Sequence, residues 1–227
     1  MQHSIEDIEY AEYLFDRFYG IGSSDNGGVT RLGYTEVEDE MHDTLRALGD
    51  EKGYGNYEDE VGNTYLYDKD CDMDDPYYLI GSHLDSVIEG GRYDGVAGVI
   101  TGLMILNWAK RDHLGLPIRV GAMRCEESSN FGRSTIGSGL ITKEVYKHDI
   151  GDAVNKRGET LREVFARKGY NLQPQRIQGI KEYIELHIEQ GKVLEEYQTE
   201  VGIVGTVAGP IRYRVYLRGM AEHSGAT

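Results

Sequence analysis

Apolar residues recur with a helical period near the start of the chain. Ile5, Ile8, Ala11, Phe15 and Phe18 share one stripe of a helix predicted over 5–18. The turn-rich SSDNGGVTR (23–31) interrupts it. A second stripe, Val37, Met41, Leu45 and Leu48, is opened by Thr35 and Glu38 at capping-box spacing and stopped by Gly49. The pattern then shortens. VGNTYLY (61–67) and YYLIGSH (77–83) predict strands joined by the polar DKDCDMDDP. VAGVITGLMILNWA (96–109) is apolar on every face and predicts a buried helix. IRVGAMR (118–124) predicts a strand, and TLREVFARKG (160–169) a helix ended by Gly169. The alternation of Ile184, Leu186 and Ile188 predicts a strand through YIELHIEQG.

Strands alternating with helical segments specify an α/β fold, a sheet flanked by helices in three layers. After GTVAGP the alternation of Ile211, Tyr213, Val215 and Leu217 opens a new strand. A domain boundary is set near Gly209–Pro210, giving one domain over 1–209 and the start of another over 210–227. The second piece is too short to fold alone, so the polypeptide reads as incomplete.

Charge and composition narrow the function classes. Lys plus Arg is 24 and Asp plus Glu is 39, a net charge of −15, which opposes general binding to nucleic acid or anionic lipid. The sequence has no apolar run long enough to span a bilayer and no basic-then-apolar N-terminus, so neither a membrane span nor a secretory signal is expected. Cys71 and Cys125 do not form a disulfide framework, and the expected compartment is the cytoplasm. The acidic run at Asp68–Asp75 is a solvated turn rather than a calcium loop, because Met73 and Leu79 stand where Gly and Glu are required.

Three polar sets stand at three predicted strands. His83 and Asp85 follow YYLI, with Asp94 before the next helix; Glu126 and Glu127 follow IRVGAMRC; His187 lies in YIELHIEQG. Open α/β sheets bind ligands at the carboxyl ends of their strands, which brings these residues together. Two imidazoles with several carboxylates suit zinc or a similar divalent ion. Asp94 is placed to bridge two such ions, and Asp85 to fix the tautomer of His83. Of Glu126 and Glu127, one binds metal and the other stays free as a general base. His3, His42, His113 and His148 lack such contexts and are assigned to surface or packing, Cys125 is assigned to the interior, and Arg124 and Arg133 to pairing with local carboxylates.

The motifs GSHLDSVIEGGRYDGVAGV, RCEESSNFGRSTIGSGL, ELHIEQGKVLE and VGTVAGPIRYRVYLRGMAEHSGAT together resemble the amidase, hydantoinase and carbamoylase family, within the dinuclear zinc peptidase and aminoacylase superfamily. The resemblance implies a zinc-exopeptidase-like catalytic domain holding two divalent ions, zinc or manganese first, nickel or cobalt next. It assigns His83, Asp94 and Glu127 to metal on the first side and His187 to the second ion. It makes Glu126 the general base, Asp85 the residue orienting His83, and Gln190 a substrate contact. His223 corresponds to a histidine lent across a homodimer to the partner's site. Family members are longer: a lid and dimerisation domain is inserted, and the catalytic domain then resumes with a last metal-binding histidine that has no counterpart here. The implied reaction is hydrolysis of a linear C–N bond in a small ureido or N-carbamoyl acid, of the allantoate amidohydrolase or N-carbamoyl-L-amino-acid hydrolase type. The alternatives are an aminopeptidase or aminoacylase of the same superfamily, and a catalytically incomplete metal-binding fragment.

Overall fold

The computed structural model describes residues 4–143, 145–146 and 148–207, and beyond these 209, 215–216, 218–220 and 225. The chain divides into two units, Met1–Ile188 and Glu189–Thr227.

In chain order the first unit contains α1 (Ile5–Tyr19), α2 (Glu36–Glu51), β1 (Gly55–Glu58), β2 (Thr64–Tyr67), β3 (Tyr77–His83), α3 (Val96–Arg111), β4 (Ile118–Met123), α4 (Ile136–Thr142), α5 (Leu161–Lys168) and β5 (Ile180–Ile184). The strands form one sheet in the order β1-β2-β4-β3-β5. β3 runs parallel to both β4 and β5, and β1 and β2 add antiparallel strands at one side. Three parallel strands therefore end on the same edge, carrying His83, the Cys125–Glu127 segment and the residues leading to His187.

The period of two along the strands sorts side chains onto two cores. Leu66, Ile80, Val120 and Ala122 join residues of α1, α2 and α3 on one face. Tyr65, Leu79 and Met123 join residues of α4 and α5 on the other. The expected three-layer α/β fold is present. Each fully buried Leu, Val or Phe in these layers contributes about 1.5–3 kcal/mol of burial free energy. Helix α3 comes close to β3 because Gly98 has no side chain: a Cβ there would lie 2.6 Å from the Leu186 carbonyl and from Ser82 Cβ.

Several local expectations are corrected. On α1 the buried residues are Leu14 and Phe18, while Ile5 and Ile8 are exposed, since the helix turns its last two turns towards the core. Ser4 and Asp7 form a capping box that was not read from the sequence. Thr35 does precede α2 but makes no side-chain cap; its hydroxyl donates to the Leu32 carbonyl, and Glu38 serves other donors. Gly49 does not stop α2, which continues to Glu51 with Gly49 packed against Leu66. β5 occupies Ile180–Ile184 and ends before His187, because its pairing with β3 begins at Tyr77 and runs out at Ile80. β1 went unread.

In the second unit, α6 (Val193–Glu196) is a single short turn begun by Glu189, whose carboxylate accepts the Val193 and Leu194 amides at 2.8 Å each. Most of the strand expected over 211–217 falls outside the described residues. Among the described residues no helix is long and apolar enough to cross a membrane.

Candidate metal centre

The site is built at the carboxyl edge of the parallel strands. His83, the last residue of β3, is buried. Its Nδ1 lies 3.0 Å from the Asp85 carbonyl oxygen and 3.2 Å from Asp85 Oδ1. In the neutral ring those acceptors place the proton on Nδ1 and leave Nε2 with its lone pair, the tautomer a metal ligand needs. Glu126 Oε2 is 3.9 Å from that Nε2.

Two backbone features let the pieces meet. Gly95 adopts φ +68°, and a Cβ on it would lie 2.6 Å from three atoms of the His83 ring. Only glycine fits there, and it sets Asp94 beside the imidazole. At the end of β4, Cys125 takes φ +50° and turns the chain so that the Glu126 and Glu127 amides donate to Asp85 Oδ1 and Oδ2, at 2.9 and 3.0 Å. Asp85 thus serves both strand ends.

His187 comes from the segment after β5. Its Nδ1 donates to the Ile188 carbonyl at 2.9 Å, and its Nε2 is 3.2 Å from Asp94 Oδ1. The rings of His83 and His187 lie 6.1 Å apart between centroids. His83, Asp94 and His187 each offer one ligand atom, all within 4.8 Å of one another. Glu127 stands outside that group.

The field at the site favours positive charge. Burial works against a charged His83, yet its hydrogen bond to Asp85, the charge of Asp85, and then Glu126 and Asp94 push it up to about 9. The hydrogen bond to Asp94 is the main influence that pushes His187 up to about 9, against burial. Burial, reinforced by neighbouring carboxylates, raises both Glu126 and Glu127. The carboxylates of Asp85, Asp94 and Glu126 around the two rings make this a position where positive charge is stabilised. The donor set, two imidazoles and a carboxylate, fits a divalent transition ion.

A cavity of about 370 Å³ opens beside the site, walled by Leu79, Met123, Ile141 and Ile180, with Glu126, Glu185 and His187 on its rim. Glu185 was missed by sequence reasoning. It accepts from Ser82 Oγ and from Tyr183 Oη, and its place two residues before His187 in the same motif was the available signal. Gln190 lies in the second unit, and His223 lies outside the described residues. Arg124 pairs with Glu38 and Asp39 as expected. His42 is buried against Thr64, and His113 and His148 are exposed. Cys125 is buried, and burial pushes its thiol well up, away from a nucleophile's range.

No protein-family model matches the chain. An N-carbamoyl-L-amino acid amidohydrolase of Geobacillus stearothermophilus is 36% identical over 216 residues, covering 91% of this chain and 52% of the relative. An allantoate amidohydrolase of Bacillus subtilis is 34% identical over 236 residues, covering 100% of this chain and 55% of the relative. A solved hydantoinase/carbamoylase family amidase from Burkholderia ambifaria superposes with a TM-score of 0.74 at 29% identity, over 84% of this chain and 47% of that one. Over nearly its whole length the chain is similar to amidohydrolases of allantoate and N-carbamoyl amino acids, and its fold is that of solved hydantoinase/carbamoylase family amidases. The chain spans about half the length of the curated relatives it matches.

Proposed function

We propose that the chain carries the metal-holding and proton-transferring residues of an amidohydrolase acting on a linear C–N bond of a ureido or N-carbamoyl acid, of the allantoate or N-carbamoyl-L-amino-acid type. The observation that carries this reading is the convergence of His83, Asp94 and His187 within 4.8 Å at the strand edge, beside Glu126. Its support from relatives is the pair of amidohydrolases named above.

His83, Asp94 and His187 would hold divalent metal, with Glu127 as a further ligand and Asp94 shared between two ions. Such ions polarise a carbonyl and make water a nucleophile at neutral pH. Glu126 accepts the proton of the attacking water and returns it to the departing nitrogen, a role worth about 10²–10⁴ in rate. Burial raises its affinity for protons above that of a free carboxylate, the direction a proton-accepting group needs. Asp85 holds His83 in the ligating tautomer. Gln190 contacts substrate, and His223 acts across a homodimer on the partner's site. Residues 1–209 form part of the catalytic domain, with a lid or dimerisation domain beginning at 210.

The test is metal content together with ammonia release from allantoate, N-carbamoyl-L-amino acids and beta-ureidopropionate, with dipeptides as controls. Zinc or manganese bound, with ammonia released from a ureido or carbamoyl acid and no free amino acids released from dipeptides, is the expected result. Glu126→Gln should keep the metal and lose at least about a hundredfold in turnover. Full turnover by that variant removes Glu126 from the role. Metal uptake by the parent without hydrolysis of any of these compounds overturns the enzymatic reading.

A further inference from the structure

Glu38 is a fully buried carboxylate on α2, distant in sequence from every motif of the site. Its Oε1 accepts the Cys125 amide at 2.8 Å. Its Oε2 accepts the Tyr34 amide at 2.6 Å and Arg124 Nη1 at 3.0 Å. Three donors and no competing acceptor surround it, so the geometry fits the anion, which burial disfavours and Arg124 stabilises.

What the carboxylate holds is an unusual piece of backbone. Cys125 is a non-glycine residue at φ +50°, in the left-handed region that L side chains disfavour. It is also wedged against Gly33, where a Cβ would lie 2.3 Å from its sulfur. Immediately after it come Glu126 and Glu127, whose amides are fixed by Asp85. Three successive amides, 125 to 127, are therefore pinned by two buried carboxylates, Glu38 and Asp85.

We propose that Glu38 is a positioning residue of the site: by fixing the left-handed Cys125 it sets the direction in which Glu126 and Glu127 leave β4. This rests on the reading of Glu126 as the proton-transferring residue. Glu38 touches neither substrate nor metal in this account and acts through the backbone.

The isosteric Glu38→Gln separates the backbone clamp from the ion pair. A glutamine has one acceptor oxygen, and two donors, Tyr34 N–H and Arg124, compete for it at the Oε2 position. The oxygen settles there, and the amide nitrogen then faces the Cys125 N–H, abolishing that bond. Arg124 keeps Asp39 at 2.7 Å in the variant. Asp39→Asn is the matching control, weakening the Arg124 pairing without touching Cys125.

Amide hydrogen exchange at Cys125, Glu126 and Glu127 is read in parent and variants, alongside kcat and KM for the most active ureido or carbamoyl acid. In the parent, the Cys125 amide should exchange only as slowly as the most protected core amides. In Glu38→Gln it should exchange at least tenfold faster, with kcat down at least tenfold and KM within twofold. Asp39→Asn should leave both within twofold. The proposal is overturned if the parent's Cys125 amide exchanges as fast as surface loops, a measurement that stands even should Glu38→Gln fail to fold. It is equally overturned if Glu38→Gln behaves as the parent, or if Asp39→Asn reproduces its pattern. If the parent releases no ammonia, the reaction assigned to the site fails, while the exchange measurements still decide the clamp.

Discussion

The Asp85 carboxylate stands 3.2 Å from Nδ1 of His83 while also accepting the amides of Glu126 and Glu127. One buried side chain thereby couples the end of β3 to the end of β4. Its two oxygens meet three donors and no acceptor, so an amide in its place must turn its nitrogen towards a buried N–H. Asp85→Asn should therefore weaken divalent-metal affinity about 10–100-fold. It should also lower stability by about 1–3 kcal/mol for the unsatisfied group. Isothermal titration with zinc or manganese and urea denaturation check the two effects. Unchanged metal affinity would mean that Asp85 does not orient a ligand.

Gly95 makes a sharper test of the ligand geometry. A methyl group there meets the His83 ring at 2.6 Å and forces a positive φ on an L-residue. Gly95→Ala should cost roughly 1–2 kcal/mol for the backbone alone. It should also reduce metal affinity at least tenfold by displacing the imidazole. Distant alanine substitutions at open glycines such as Gly115, where a Cβ meets nothing within 4 Å, control for the backbone cost. Equal effects at both positions would take His83 out of the ligand set.

How far the sequence led can be seen in these residues. His83, Asp94 and His187 were legible because each sits beside a short apolar run, and parallel strands bring such ends to one edge. The length of β5 was not legible, since the alternation of Ile184, Leu186 and Ile188 continues past the point where pairing with β3 stops. That error mattered little: moving His187 beyond the strand puts it at the edge, where the ligands gather. Glu38 was misread for a different reason. Thr-x-x-Glu spacing describes a local cap, and nothing local reveals that the carboxylate is taken by Cys125 and Arg124, which arrive from β4. Gly49 misled in the same way, since its role is packing against Leu66 from another element rather than ending its own helix.

His42 supplies a pH prediction away from the site. Its imidazole is fully buried with Nδ1 2.9 Å from Thr64 Oγ1, and burial, helped by Arg124, Arg46 and Lys168, holds it well below its ordinary value. The folded chain keeps His42 neutral where the unfolded chain protonates it below about 6.5. The unfolded state then binds more protons, so this contribution is intact above pH 6.5 and is lost as pH falls. Its slope approaches about 1.4 kcal/mol per pH unit. Urea denaturation of parent and His42→Gln from pH 7.5 to 5 should show the variant losing stability less steeply by nearly one proton. Parallel curves would show that the histidine is protonated in the folded chain.

The central claim is that His83, Asp94 and His187 hold divalent metal. The most direct measurement is anomalous diffraction from crystals grown with zinc or manganese, recorded at the absorption edge of the metal. The account predicts a strong peak at about 2.0–2.2 Å from a nitrogen of an imidazole and an oxygen of Asp94. A map with no peak there, while the metal sits elsewhere on the chain or is absent at saturating concentration, would contradict it.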